Sequence, residues 1–285
     1  MWIRSPGKIN LFLQVLRKRP DNYHEIYTLF QKITLFDEIE IKGGQRLFSL
    51  EFECEESIPL EENLIYKAWK AFKEEFCVKE EIKLWVKKRI PLGAGLGGGS
   101  SNAGNLLKAL SKLYGIEDNR LESLALKLGA DVPFFLSDLP CALAGGVGEI
   151  LSPFPNYGAY YILVYPGFKV DTAWAYKSLN LTKPKNPVYY EASLPPWRAC
   201  QGLINDFKGL LYRKFYPIYE EIEKLLLKEG ARAVNISGTG STIYGVFESP
   251  PFEGYTRLKN SLRNGKIYLV KNLECEGGNK CLLTI

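Results

Sequence analysis

A single histidine and a single methionine stand among the 285 residues. One histidine with no clustered cysteine or carboxylate partner makes no metal centre, which leaves His24 a structural or exposed residue. The six cysteines, at 54, 77, 141, 200, 275 and 281, include no C-x-x-C pair. A chain of this size needs no disulfide staples, so a reducing, cytoplasmic setting is expected. No apolar run nears the roughly 20 residues of a membrane span. The opening MWIRSPGKINLFLQVLRKR has its apolar stretch interrupted by Lys8 and Asn10, is followed by no small-residue cleavage site, and reads as mature structure. Repeats and low-complexity tracts are absent, and basic residues alternate with acidic ones instead of gathering. The net charge of +5 therefore suits an anionic small-molecule substrate, and neither nucleic acid nor membrane is expected as a partner.

What is present is a mixed α/β (α+β) pattern with 46% apolar residues, long enough for two domains. In KINLFLQVL, Ile9, Leu11, Leu13 and Val15 alternate with Lys8, Asn10, Phe12 and Gln14, which predicts a strand with Lys8 and Asn10 side by side on one face. LFQKITLFDEIEI and LFSLEFEC read as further strands in an antiparallel opening. EENLIYKAWKAFKEEF reads as a helix and EIKLWVKK as a strand. SNAGNLLKALSKLYG and NRLESLALKLG read as helices closed by Gly115 and Gly129. The Pro-rich SPFPNYG marks a boundary between domains 1–152 and 153–285. Beyond it, AYYILVYP is a strand, 201–212 and 215–229 have helical patterns, and RAVNISGTGSTIYGVFE is strand, turn, strand.

The stretch PLGAGLGGGSSNAG, 91–104, concentrates glycines ahead of two serines and a helix. Gly93-x-Gly95-x-x-Gly98 matches a dinucleotide fingerprint in form, but KKRIP separates it from the strand, and Asp118 follows a helix rather than a second strand. A P-loop is excluded because no lysine precedes Ser100. The ingredients of phosphate binding remain: glycines that let backbone N–H groups approach an anion, hydroxyl donors and a helix N-terminus. A plain tight connection capped by Ser100 or Ser101 would need only one or two glycines.

This stretch resembles the ATP-binding motif of the GHMP kinases, which act on galactose, homoserine, mevalonate and phosphomevalonate. SPGKINLFLQV is similar to their N-terminal motif and NISGTGSTIYGVF to their C-terminal glycine motif, in family order across nearly the whole chain. Within that superfamily, GKINLFLQVLRKRPDNYHEIYTLFQKITLFDEIEI and LGADVPFF resemble the branch acting on a cytidine-diphosphate-linked methylerythritol in the non-mevalonate isoprenoid route. The resemblance implies a two-domain fold with the active site in a cleft between the domains, ATP and Mg2+ as cofactors, and phosphorylation of the 2-hydroxyl of that acceptor.

It also implies the roles. Asp131 would be the catalytic base and Lys8 its cationic neighbour; as bare residues they read equally as an N-cap and a solvated strand lysine. Pro91, Leu92, Gly93, Ala94, Gly95, Leu96, Gly97, Gly98, Gly99, Ser100 and Ser101 would hold ATP, and Asn63 would contact its base unless it only caps a helix. Asn10 would bond the acceptor, Tyr23 and His24 the cytosine, and Tyr176 would be a second wall, with Thr172 nearby. Gly238, Gly240, Ser241 and Thr242 would form a second anion cradle or a plain turn. The metal ligands are left open. The competing readings are another kinase of the superfamily acting on mevalonate, homoserine or a sugar, a nicotinamide-dependent oxidoreductase, and a binding protein without activity. The NYHE segment speaks against the other kinases, whose acceptors carry no base.

Overall fold

The computed structural model describes residues 1–179, 181, 183–262 and 264–274; Cys275 and Cys281 lie outside them. The chain begins with two long strands, β1 (Trp2–Lys18) and β2 (His24–Gln45), paired antiparallel. Next come β3 (Ser49–Glu53), α1 (Leu64–Glu75) and β4 (Glu81–Lys87). The antiparallel opening expected from sequence holds for β1 with β2 and β2 with β4 and is corrected at β3, which runs parallel to β4 because α1 carries the chain back to the same end of the sheet before β4 starts. The helices α2 (Gly98–Tyr114), α3 (Arg120–Leu128) and α4 (Val132–Leu136) precede β5 (Cys141–Gly145) and β6 (Ile150–Pro153). The first sheet has the order β3-β4-β2-β5-β6, with β1 on β2.

α1 buries Ile65, Ala68, Trp69 and Phe72, the i, i+3, i+4, i+7 face of an amphipathic helix. With α2 and α3 it covers Ile39, Ile41, Leu84 and Val86 of the sheet. Burying each large side chain contributes about 1.5–3 kcal/mol.

The chain crosses at 154–159 into β7 (Tyr160–Tyr165), then α5 (Thr172–Ser178), α6 (Lys208–Lys214), α7 (Ile218–Lys228), β8 (Ala233–Ile236), β9 (Ile243–Phe247), α8 (Phe252–Ser261) and β10 (Lys266–Lys271). The second sheet, β10-β7-β9-β8, is antiparallel throughout. The helix expected over 201–212 begins only at Lys208: Asn205 accepts a bond from Phe207 N (2.9 Å) and spends its amide on the carbonyls of Ile236 and Gly238, which fixes the preceding residues outside the helix.

One core cluster joins the two sheets, drawing Ile9, Leu11, Phe12 and Leu29 together with Tyr161, Leu163, Tyr244 and Val246. Phe12 thereby leaves the face on which alternation placed it with Lys8 and Asn10. The cause is a register shift between Asn10 and Phe12 in the β1–β2 ladder, an irregularity that breaks the two-residue period. Among the described residues no helix is long and apolar enough to cross a membrane.

Candidate active site

The glycine loop is built by two opposed requirements. Ala94 and Leu96 are core residues, each 1% exposed, while Gly95, Gly97 and Ser100 line a cleft of about 930 Å³. Its carbonyls are tied back into the protein: Lys8 N donates to Leu96 O (2.9 Å), Thr242 N to Ala94 O (3.1 Å) and Ser237 Oγ to Gly95 O (2.7 Å). The opening N–H groups of α2 have no acceptor within the helix, so the exit of the loop presents donors to an anion. Side chains would not fit. Gly95 has φ +77° and a methyl there would overlap Ser237 O and lie 2.8 Å from Gly240 O; at Gly97, φ +68°, it would lie 3.0 Å from the Phe135 ring and 3.1 Å from Lys8 Cγ.

Lys8 reaches the same cleft from β1. It is 4% exposed, its Nζ donates to Asn10 Oδ1 (2.7 Å) and lies 3.4 Å from Asp131 Oδ2, and it sits 5.2 Å from the centre of the Phe30 ring. Asn10 is fixed in turn by Thr28, whose Oγ1 accepts from its amide (2.8 Å) and donates to Phe12 O (2.6 Å). Asp131 occupies the N-cap of α4 but makes no capping bond there. Its carboxylate, 31% exposed, faces Lys8 and the cleft.

The same cleft is lined by Tyr23, His24, Thr172 and Tyr176, together with Lys18 and Lys177, and by Gly238, which packs beside Asn10 and Gly95. The His24 ring lies 4.9 Å from that of Tyr176 at 30°, and Tyr176 is backed edge-on by Phe207. Burial, helped by the nearby Lys18 charge, lowers the His24 pKa below its ordinary 6.5, so the ring is neutral at pH 7 and has both a donor and an acceptor. Tyr23 is 62% exposed at the rim. Thr172 Oγ1 is 3.2 Å from Thr239 Oγ1.

Some residues named from sequence stand elsewhere. Asn63 caps α1 through Ile65 N (3.2 Å). Ser101 is fully buried against Ser5 Oγ (2.7 Å) and Pro6 O (2.5 Å). Ser241 is also fully buried, its hydroxyl bonded to Phe168 O and its carbonyl to Tyr219. Gly240 packs on Leu211 and Tyr219, Thr242 is inside with its hydroxyl unpartnered, and Pro91, Leu92, Gly93, Gly98 and Gly99 flank the lining positions. Sequence reading passed over Asn102 in the first turns of α2, whose Oδ1 is buried without a hydrogen-bond partner, and the buried ion pair of Asp37 with Lys88. Among the described residues no three His, Cys, Asp or Glu side chains gather to hold a metal.

Comparison with known proteins shows the family. Residues 63–146 match the family model of the GHMP kinases N terminal domain, and residues 197–264 that of the GHMP kinases C terminal. The chain is 39% identical over 257 residues to a 4-diphosphocytidyl-2-C-methyl-D-erythritol kinase of Syntrophus aciditrophicus, covering 87% of this chain and 90% of that one. It is 36% identical over 270 residues to the kinase of the same name from Thermodesulfovibrio yellowstonii, covering 87% and 93%. A crystal structure of a 4-(cytidine 5'-diphospho)-2C-methyl-D-erythritol kinase superposes with a TM-score of 0.81 at 33% identity, covering 95% of this chain and 99% of that one.

Proposed function

From the premise that the chain belongs to the GHMP kinases, and among them to the 4-diphosphocytidyl-2-C-methyl-D-erythritol kinases, we propose that Asp131 and Lys8 are the pair at which its phosphoryl transfer takes place. The enzyme is an ATP-dependent small-molecule kinase that phosphorylates the 2-hydroxyl of 4-diphosphocytidyl-2-C-methyl-D-erythritol in the non-mevalonate isoprenoid pathway. The observation that carries the residue assignment is the ion pair of Lys8 with Asp131, at 3.4 Å, beside a glycine loop in one cleft.

Asp131, its Oδ2 3.4 Å from the Lys8 ammonium, accepts the proton of the acceptor hydroxyl as that oxygen attacks. Lys8 offsets the charge that spreads over the transferring group. Asn10 and Thr28 fix the direction of Lys8, so no reorganisation is needed when charge develops. ATP supplies the phosphoryl group, and one observation fits its binding: Gly95 and Gly97 line the cleft with positive φ and their Cβ positions closed off by the protein behind them, so bare backbone faces the ligand. Magnesium would be held with the nucleotide phosphates. A small cation that keeps several waters and binds through substrate phosphates needs only one or two protein oxygens, and Ser100 and Asp131, both lining the cleft, would supply them. Bound there, it neutralises phosphate charge.

Within the same cleft, neutral His24 hydrogen-bonds the cytosine edge, with Tyr23 and Tyr176 supplying aromatic faces. The four free cysteines among the described residues accord with a cytoplasmic enzyme. The test is magnesium-dependent ADP release with the cytidine acceptor, set against mevalonate, homoserine, galactose and no acceptor. Release with the cytidine acceptor alone is expected. Equal release with mevalonate would remove the specificity assigned to Tyr23 and His24.

A further inference from the structure

Ser5 and Asp37 face each other across the β1–β2 ladder, and both are 0% exposed. Neither lines the cleft, yet each ends on one side of the glycine loop. Asp37 Oδ1 accepts from Arg89 N (2.8 Å) and Ile90 N (2.9 Å), while Oδ2 pairs with the Lys88 ammonium, whose side chain is 2% exposed. One carboxylate thus holds three consecutive residues between the end of β4 and Pro91. Those residues are the wall against which α2 begins, since a methyl at Gly98 would lie 2.9 Å from both Ile90 Cγ2 and Lys88 Nζ. On the opposite strand, Ser5 Oγ bonds Ser101 Oγ at 2.7 Å, in the first turn of α2, and Ser101 also donates to the neighbouring Pro6 carbonyl and receives Asn105 Nδ2 (3.3 Å).

The geometry points to this cross-strand pair as the device that sets the glycine loop for the nucleotide: Asp37 fixes its entry, Ser5 its exit. A loop rich in glycine has wide conformational freedom, and holding it in one conformation before ATP arrives removes an entropic cost from binding. The buried carboxylate is suited to the task because its bonds are charge-assisted and it has no water to compete for it. Both residues are positioning residues and touch no substrate. The inference rests on the kinase reading above and extends it to two buried residues outside the cleft lining.

The test compares steady-state kinetics and melting temperature of the unaltered enzyme with Asp37→Asn and Ser5→Ala. The asparagine keeps an acceptor for Arg89 and Ile90 but loses the charge facing Lys88. The KM for ATP is expected to rise by about tenfold in Asp37→Asn and about threefold in Ser5→Ala, with the KM for the cytidine acceptor within about twofold of its original value. A purely structural pair would lower the melting temperature and leave the ATP KM of the folded protein where it was, and that result overturns the inference. If Asp37→Asn does not fold, Ser5→Ala decides by the same criterion. An unaltered enzyme that released no ADP would instead overturn the kinase reading, an outcome distinct from an unchanged ATP KM.

Discussion

Replacing Asp131 by asparagine keeps the side chain's shape and removes its capacity to take a proton. Turnover should fall by about a hundred- to ten-thousand-fold, while ATP affinity measured by calorimetry stays within about threefold; near-normal turnover would dismiss Asp131 as the base. His24 offers a pH test. Its pKa is lowered by burial and by Lys18, so the folded protein binds fewer protons than the unfolded chain between that lowered value and 6.5, and stability rises with pH across the interval. Below it the imidazolium loses its acceptor nitrogen. The His24 pKa read by NMR should lie under 6.5, and the acceptor KM should climb as pH drops through it; a pKa above 6.5 would contradict this. The residues proposed to react could be named from sequence through the family resemblance, because each sits in a short motif that carries it: Lys8 and Asn10 two apart in GKINLFLQV, and Asp131 in GADVPFF. Asp37, Ser5 and Asn102 could not, since what gives them meaning is far along the chain: 51 residues separate Asp37 from Lys88, and 96 separate Ser5 from Ser101. No local period encodes such pairings.

Among the secondary elements, the junction of α2 with α4 controls the site most directly. Gly104 on α2 lets α4 approach so closely that a methyl there would stand 2.8 Å from Phe135 Cβ and 2.9 Å from Leu136 N and Val132 O. α4 carries Asp131 at its head. Gly104→Ala should therefore shift α4, destabilise the protein by about 1–3 kcal/mol and lower kcat by about tenfold or more through misplacement of the carboxylate. Kinetics and urea titration check this, and an unaltered kcat would show that α4 does not set the Asp131 position. The end of α2 was legible from Gly115, which stands in the left-handed region, whereas its start was placed at Ser101 and lies instead at Gly98, behind Gly97, also in the left-handed region. The parallel pairing of β3 with β4 was less so: strand, helix, strand is the pattern of a crossover, yet hydrophobic alternation alone does not distinguish parallel from antiparallel neighbours.

Across the whole molecule the two sheets are bound through polar as well as apolar contacts. Tyr244 on β9 donates to Asn10 O (2.8 Å), Asn235 on β8 to Leu11 O (3.2 Å), and Leu13 N to Ile204 O (2.8 Å). With a common core as well, the chain should unfold in one transition, with equal calorimetric and van't Hoff enthalpies; two resolved transitions would show halves that fold alone. The proline-rich crossing at 154–159 was readable as a break, whereas the burial of Phe154 and Ala159 within it depends on which surfaces meet and leaves no local signal. The length of β2, 22 residues, has a consequence of its own. His24 at its start is the residue proposed to meet the acceptor's base, Thr28 and Phe30 lie beside Asn10 and Lys8, and Asp37 holds the residues that enter the glycine loop. The strand is thus a ruler on which the distance between the two substrates is counted in residues. Loops on either side tolerate a change in length, but deleting one residue between His24 and Phe30 would turn the side chains beyond the cut to the other face, so drift in chain length is forbidden along the one segment that spaces donor from acceptor.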